Sequence, residues 1–317
     1  MRRIAVSDGS VLLDTVVLGT AGFGTDLPEE KAFAQMDCYY ACGGRTLDTA
    51  AVYGDWEDKG EPKSERTIAR WVRTRGVEDI TVITKGCHYR LKTPEISRVT
   101  PEAIRADAAQ SLEALERDAI DVYLLHRDNP AVPVGELVDA LDEFAAKGAL
   151  RSVGVSNWTF ARIAAANEYA RKNGRTPFTS SELQWSLAQI NPARDNFPNL
   201  PHMTPAEFEN YRGSDLAVLA WSAQAGGVIS KMLARPGFSL EGNKFDTPET
   251  RLRAQRVEAL SRRTGLAPGV LTLAYLLNSG VQSAAVVGAS SPEQIRESVS
   301  AGDVSLTPEQ VSFLEGA

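Results

Sequence analysis

Short runs of apolar residues alternate along this chain with longer segments in which apolar and polar positions repeat at helical spacing. The first short run, residues 16–18, is typical of a buried strand, and residues 29–42 have the period of an amphipathic helix. The same alternation predicts further strands at residues 45–48, 80–84, 121–125, 152–155, 179–183, 217–220 and 284–287. Further helices are predicted at residues 64–74, 101–115, 134–147 and 159–173.

Eight strands that alternate with helices predict βαβ units and a parallel sheet, and the unbroken series predicts closure into a (β/α)8 TIM barrel. No linker rich in Pro, Gly or Ser divides the chain, so residues 1–317 are predicted to form a single domain. Residues 4–6 and 11–13 flank a polar turn and predict an N-terminal β-hairpin that closes the bottom of the barrel. The polar, Pro-rich residues 191–213 and the similar residues 233–247 are predicted to be functional loops.

The composition limits the classes of function. Of the 317 residues, 43% are hydrophobic and 24% are charged, which is enough apolar material for a large core. The formal net charge is -7 and no run of Lys and Arg stands out, so nucleic-acid binding is not expected. No stretch reaches the roughly 18 apolar residues of a membrane span, and no secretory signal follows the N-terminal arginines, so a cytoplasmic protein is expected.

The three cysteines predict neither a metal site nor a disulfide framework. Cys38 and Cys42 lie four residues apart on one predicted helix, and Cys87 stands alone. An odd, sparse set of thiols differs from the paired cysteines of disulfide-rich domains, and no third and fourth zinc ligand accompanies the first two. No bound metal is therefore expected.

Polar groups of complementary chemistry stand at the ends of three adjacent predicted strands. The second strand ends at Asp48, with Tyr53 five residues further on. The third strand ends at Lys85 and the fourth at His126. Because the active sites of (β/α)8 barrels lie at the carboxyl ends of the strands, these side chains are expected to meet in one site.

Together these groups can move a proton. A phenol has an ordinary pKa of about 10, too high for efficient transfer at neutral pH, and a nearby ammonium lowers that pKa. Lys85 is predicted to supply the ammonium to Tyr53, with Asp48 holding it in place. His126 is predicted to orient the substrate oxygen through a hydrogen bond. Such a set cannot deliver two electrons, so a cofactor that carries hydride is implied.

The chain resembles the aldo-keto reductase superfamily over nearly its whole length. The resemblance rests on Leu18-Gly19-Thr20, Leu47-Asp48-Thr49-Ala50, Tyr53-Gly54, Thr84-Lys85, Leu124-Leu125-His126, Gly154-Val155-Ser156-Asn157, Ala220-Trp221-Ser222-Ala223 and Gly288-Ala289-Ser290-Ser291-Pro292-Glu293-Gln294. It implies a (β/α)8 barrel and an NAD(P)(H)-dependent oxidoreductase of carbonyls and alcohols. It also implies that Tyr53 is the general acid and base of a catalytic tetrad completed by Asp48, Lys85 and His126.

The resemblance further implies which residues hold NADP(H) or NAD(H). Ser156 and Asn157 match residues that bind the nicotinamide carboxamide, and Trp221 matches an aromatic residue that stacks on the ring. The implied cofactor-binding set is Gly19, Thr20, Ser156, Asn157, Glu182, Trp221, Ser222, Gln224, Gly226, Gly288, Ser290, Gln294 and Ser298.

Two parts of this set depart from the family pattern. Glu182 stands where the family often has Gln, and a carboxylate cannot donate to the carboxamide carbonyl, so Gln184 is an alternative. Gly288 and Gln294 are uncharged where members that select the 2′-phosphate often carry Lys or Arg, and only Arg296 is close. Both NADP(H) and NAD(H) therefore stay open as the cofactor.

Aromatic residues that closely follow strand ends predict the rim of a substrate pocket. These are Trp56, Tyr89 and Trp158. The expected substrate is a small aldehyde, ketone or sugar, or the matching alcohol, with aromatic aldehydes among the open choices. The alternative is a non-catalytic regulatory subunit of the same fold that binds nucleotide. Some relatives, the potassium-channel β subunits, look like such a subunit. The presence of all four tetrad residues favours the enzyme.

Overall fold

The computed structural model describes residues 1–56 and 59–316. Within them, eight parallel strands close into a barrel, which confirms the predicted fold. A separate antiparallel hairpin precedes it, made of β1 (Arg3–Val6) and β2 (Val11–Asp14). The barrel strands follow in the order β3 (Val16–Gly19), β4 (Thr46–Asp48), β5 (Thr81–Gly86), β6 (Val122–Leu125), β7 (Val153–Ser156), β8 (Ser180–Gln184), β9 (Ala217–Trp221) and β10 (Ser283–Val287).

Helices surround the barrel, and several begin at the capping residues that the sequence indicates. Thr100 accepts a hydrogen bond from the backbone N–H of Ala103, and Gly174 ends its helix in the left-handed conformation at φ 63°. The helices are α1 (Glu29–Ala41), α2 (Lys63–Arg75), α3 (Pro101–Ala114), α4 (Val134–Ala145), α5 (Phe160–Asn173), α6 (Pro205–Arg212), α7 (Val228–Ala234), α8 (Pro248–Thr264), α9 (Pro268–Leu277), α10 (Pro292–Ser300) and α11 (Pro308–Glu315). Over the described ranges, no helix combines the length and apolar character that a bilayer crossing needs.

The segment predicted as one long loop at residues 191–213 contains a helix, which corrects the prediction. Thr204 accepts from the backbone N–H of Glu207, and Pro205 occupies the first helical position of α6. This Thr-Pro start is a standard helix signal that the surrounding prolines obscured. Residues 235–247, by contrast, contain neither helix nor strand, in agreement with a loop.

The hairpin closes the amino-terminal end of the barrel. β2 ends at Asp14, directly before β3 begins at Val16, so the hairpin folds back under the strands. Its inward side chains pack on residues of the barrel interior, and this cluster comprises Val6, Val11, Leu13, Val17, Ile83, Val122, Leu124, Ala217, Leu219 and Ala284. The predicted hairpin is therefore confirmed, and its side chains fill the amino-terminal end of the barrel.

Two neighbouring leucines of β2 test the contribution of this plug. Leu13 is 0% exposed, whereas Leu12 on the opposite face is 47% exposed. We expect Leu13→Ala to lower the free energy of unfolding by about 2–5 kcal/mol, because it leaves a cavity in the barrel interior. Leu12→Ala should change it by less than about 0.5 kcal/mol. Urea unfolding followed by circular dichroism measures both, and equal losses would contradict the proposed packing role.

Candidate active site

The ammonium of Lys85 lies at the centre of the polar groups that the strand ends bring together. Lys85 is 0% exposed and projects from β5 into the barrel. Its Nζ donates to Asp48 Oδ1 at 2.6 Å, to the Thr49 carbonyl at 3.0 Å and to the Tyr53 hydroxyl at 3.4 Å. The predicted association of Asp48, Tyr53 and Lys85 is thus present as one hydrogen-bonded cluster.

Buried hydroxyls hold the segment that carries Tyr53. Thr20 donates to the Asp48 carbonyl at 2.8 Å, and its oxygen lies 2.8 Å from the Ser64 hydroxyl. Thr49 donates to the same Ser64 hydroxyl at 2.9 Å. Thr20 was predicted to contact the cofactor, but its side chain is 0% exposed and occupied by these protein partners. Gly19 pairs in register with Asp48 at the same end of the barrel.

A second carboxyl reaches Lys85 from across the barrel. Glu182, on β8, places Oε2 at 3.4 Å from Lys85 Nζ, and its side chain is buried. Burial, followed by the charge of Asp48, raises the pKa of Glu182 to about 8. Burial also raises the pKa of Asp48, against the lowering influence of Lys85. The pKa of Lys85 is raised because its two carboxyl neighbours outweigh its own burial.

Tyr53 is a protonated phenol at neutral pH in this arrangement. Burial raises its pKa to about 12, while the charge of Lys85 acts in the opposite direction. The prediction that Lys85 pulls the phenol pKa down is correct for that one interaction, but the net direction is upward because burial is larger. Tyr53 therefore holds a proton that Lys85 is positioned to help it release.

Aromatic rings line the site in sequence from the phenol outward. The Tyr53 and His126 ring centroids are 5.7 Å apart, His126 and His88 are 4.7 Å apart, and His88 and Tyr89 are 4.0 Å apart. His88 was not predicted as a site residue. The only sequence signal for it was its place three residues after Lys85, just past the end of a strand.

Both histidines of this stack are neutral at pH 7. Burial, followed by the charges of His88 and Arg127, holds the pKa of His126 well below its ordinary value. Burial and the charge of Arg127 lower the pKa of His88 to about 4. The Nδ1 atom of His126 is buried without a hydrogen-bond partner, so the ring retains a free polar atom.

The predicted aromatic rim is partly corrected. Trp56 is 45% exposed and donates from Nε1 to the Thr25 hydroxyl at 3.1 Å, and Tyr89 lies at the outer end of the ring stack. Trp158 is instead 1% exposed and packs edge-on against Phe178. Its indole donates to the Arg127 carbonyl at 3.0 Å, so Trp158 supports the segment after β6 rather than lining an open pocket.

Residues expected to bind a carboxamide cluster at the ends of β7, β8 and β9. The side-chain amide of Asn157 donates to the Ser156 hydroxyl at 2.9 Å and accepts from Trp221 Nε1 at 3.1 Å. Glu182 Oε2 and Gln184 Nε2 are buried without hydrogen-bond partners. Buried polar groups of this kind ordinarily have partners, so these free atoms fit a polar ligand such as a nicotinamide carboxamide.

The turn after β9 has backbone angles that allow its N–H groups to come close to a ligand. Ser222 and Ala225 adopt positive φ angles of 54° and 51°, and Gly226 and Gly227 follow at 64° and 76°. Gln224 is tied down by a hydrogen bond from Nε2 to the Gly269 carbonyl at 3.4 Å. Positive φ angles in non-glycine residues store strain and concentrate at ligand-binding turns, and the pyrophosphate contact expected of this turn stays a prediction.

The residues expected at the adenosine end surround the start of α10. Ser290 donates from its N–H and its hydroxyl to Gln294 Oε1, at 2.8 and 2.9 Å. A Cβ built on Gly288 would meet no atom within 4 Å, so open space lies above it. Ser298 is buried on the inner face of the helix, and the exposed Arg296 pairs with Glu293 at 3.3 Å. In residues 1–56 and 59–316, no group of three or more potential metal ligands is found.

Sequence comparisons identify the family of the chain and proteins to which it is similar. The family model described as Aldo/keto reductase family matches residues 15–317. A norsolorinic acid reductase of Emericella nidulans is 28% identical, over 99% of this chain and 80% of its own length. An aryl-alcohol dehydrogenase (NADP(+)) of Phanerodontia chrysosporium is 26% identical, over 92% of this chain and 77% of its own length. An uncharacterized oxidoreductase of Bacillus subtilis is 26% identical, over 94% of this chain and 90% of its own length.

The lowered pKa of His88 predicts an acid-dependent loss of stability. An unfolded histidine has a pKa of about 6.5. Between about pH 6.5 and pH 4, residue 88 is therefore protonated in the unfolded chain but not in the folded one. Stability should therefore fall as pH falls through this window, with His88 contributing on the order of 3 kcal/mol.

Thermal unfolding at a series of pH values checks the contribution of His88 to this acid-dependent loss of stability. We expect His88→Gln to flatten the fall in Tm between pH 6.5 and pH 4, whereas the matched variant His202→Gln should keep the wild-type slope. His202 lies in the segment after β8, bridged to Gln184 and outside the ring stack. Parallel curves for wild type and His88→Gln would show that the assignment to His88 is wrong.

Proposed function

This chain belongs to the Aldo/keto reductase family and is an NAD(P)H-dependent oxidoreductase, and we propose that Tyr53 exchanges a proton with the oxygen of its substrate. The observation that carries the proposal is the buried contact of the Tyr53 hydroxyl with Lys85, which Asp48 holds at 2.6 Å. A phenol beside a fixed ammonium can give up a proton and retain a stabilised phenolate. A regulatory barrel that only binds nucleotide would not require this arrangement.

The nicotinamide cofactor, when bound, supplies or accepts the hydride. In the direction of reduction, Tyr53 donates its proton to the oxygen that gains negative charge. The positive charge of Lys85 then stabilises the phenolate, and Asp48 keeps the ammonium in position. In oxidation the same groups act in reverse, and Tyr53 accepts the proton of the alcohol.

His126 is proposed to orient the substrate oxygen. Its ring lies next to Tyr53 and is neutral at pH 7, so one ring nitrogen donates and the other accepts. A neutral donor binds the substrate oxygen without competing for the proton that Tyr53 transfers. The neighbouring His88 packs against His126 at 4.7 Å and restricts the orientation of its ring.

The residues proposed to hold NADP(H) or NAD(H) are those at the ends of β7 to β10. Ser156 and Asn157 would bind the carboxamide, and Trp221 would contact the ring. The turn from Ser222 to Gly226 would face the pyrophosphate. Arg296 is proposed as the partner of a 2′-phosphate, because it is exposed and is the one basic residue of α10.

The proposed substrate is a small aldehyde or ketone, or the matching alcohol, with an aromatic group favoured. Three aromatic rings extend outward from Tyr53, namely His126, His88 and Tyr89, and flat rings pack well against such walls. The relatives named as an aryl-alcohol dehydrogenase and a norsolorinic acid reductase support this class.

Titration of the protein with NADPH and with NADH, followed by tryptophan fluorescence, tests cofactor use. We expect saturable quenching, because Trp221 is half-exposed in the proposed nicotinamide site. Trp221→Phe should lose most of the quenching, whereas Trp71→Phe on α2 should keep it. Tighter binding of NADPH would support the role of Arg296. Binding of neither nucleotide would overturn the proposed cofactor site.

Replacement of the phenol tests the proton-transfer role. We expect Tyr53→Phe to reduce turnover of an aromatic aldehyde by about 10²–10⁴-fold, because the general acid is lost, with cofactor affinity nearly unchanged. Steady-state kinetics and the fluorescence titration measure the two effects. Tyr40→Phe, which removes a surface hydroxyl bonded to Asp79, is the matched control and should keep wild-type turnover. Near-normal turnover of Tyr53→Phe would contradict the mechanism.

A further inference from the structure

Glu182 is a buried carboxyl that lacks a full set of partners. Its side chain is 3% exposed and shares a hydrogen bond with Asp48, while its Oε2 makes no hydrogen bond although Lys85 Nζ is 3.4 Å away. The ammonium is much closer to Asp48, at 2.6 Å. Glu182 is therefore the weaker of two carboxyls that face the same positive charge.

Two carboxyls and one ammonium leave one proton to be placed. If both carboxyls were ionised, the cluster would carry an excess negative charge away from water, which is costly. Because Asp48 makes the short contact with Lys85, Asp48 is the ionised carboxyl and Glu182 keeps the proton. The pKa of Glu182, raised to about 8 by burial and then by Asp48, agrees with this assignment.

The surroundings of Glu182 contain few other charges. The titratable groups clustered with it at this end of the barrel are Asp48, Tyr53, Lys85 and His126. Tyr53 and His126 are neutral at pH 7, which leaves only the Asp48–Lys85 pair charged. The adjacent strands contribute Ser156 and Leu219 at the paired positions, and neither titrates.

Glu182 lies directly beside the residues proposed to bind the carboxamide. The backbone N–H of Asn157 donates to the Glu182 carbonyl at 2.8 Å, and Ser156 pairs with Glu182 in register. Trp221 reaches the same place, since its Nε1 donates to Asn157 Oδ1. On the proposed function, the nicotinamide would therefore be within electrostatic reach of this carboxyl.

We propose that Glu182 distinguishes the two redox states of the bound cofactor, keeping its proton beside the neutral reduced ring and releasing it to solvent beside the cationic oxidised ring. The protonated carboxyl can donate a hydrogen bond to the carboxamide carbonyl, which a carboxylate cannot do. The ionised carboxylate attracts the positive ring in a site of low dielectric constant. One proton leaves the protein, and no bond to the cofactor forms or breaks.

Calorimetric titrations with NADP⁺ and with NADPH, in buffers of different ionisation enthalpy between pH 6 and pH 9, test this inference. The 2′-phosphate, with a second pKa of about 6 for such groups, is common to both ligands, so the difference between them isolates the ring. We expect NADP⁺ binding to release up to one proton more than NADPH binding near pH 7. Below pH 8, the ratio of the NADPH Kd to the NADP⁺ Kd should rise by up to about tenfold for each unit by which the pH is raised.

Two variants assign the proton. Glu182→Gln should abolish the difference in proton release and make the Kd ratio independent of pH. Glu65→Gln is the matched control, because Glu65 is also a fully buried carboxyl with its pKa raised by burial to about 7, but it accepts from Thr84 on the outer side of β5. We expect Glu65→Gln to keep the wild-type dependence.

The outcomes separate this inference from the function on which it rests. A pH-independent Kd ratio in the wild type, or an unchanged slope in Glu182→Gln, overturns the inference and leaves the proposed cofactor site intact. Binding of neither nucleotide overturns the proposed cofactor site and the inference together. If the earlier titration favours NADH, then NAD⁺ and NADH are the probes, and the same outcomes apply.

Discussion

A fully buried ammonium must be surrounded by acceptors, and satisfying Lys85 organises the open end of this barrel. Its partners come from two separate parts of the chain: Asp48 ends β4 with Tyr53 just after it, and Glu182 lies on β8. Removal of one partner from a buried ion pair typically costs about 3–5 kcal/mol, because the remaining charge is left without compensation. The barrel therefore has to close in the correct register for the site to be tolerated, which couples folding to chemistry.

Backbone strain is concentrated at the same end. Cys87, Asn157 and Ser222 each directly follow a barrel strand and adopt φ angles of 64°, 62° and 54°. Such residues cost on the order of 1–3 kcal/mol each and persist only where the surroundings enforce them. Here the strand walls are apolar and buried, so the well-packed part of the barrel compensates for the strained turns. In each case the strained residue lies next to a group assigned to the site: His88 follows Cys87, Ser156 precedes Asn157, and Trp221 precedes Ser222.

The sequence predicted the architecture and the meeting of Asp48, Tyr53 and Lys85 because strand ends follow from periodicity, whereas the catalytic roles of these residues stay predictions. Alternating apolar runs locate the strand ends, and the strand ends determine which groups can meet. The edge-on contact of His88 with His126 could not be predicted in this way, since it depends on a left-handed turn at Cys87. The burial of Trp158 and the dominance of burial over Lys85 in the pKa of Tyr53 depend on three-dimensional packing, which periodicity does not encode.

The hairpin at the amino-terminal end of the barrel also limits how ligands can reach the site. Because the cluster around Leu13 fills the amino-terminal end, a dinucleotide and the substrate would both have to enter from the carboxyl end of the barrel. On the proposed function, a ligand held at Glu182 and Asn157 and a second ligand at Tyr89 would enter and leave from the same side of the barrel. Filling the amino-terminal end of the barrel thus restricts both ligands to one route of access.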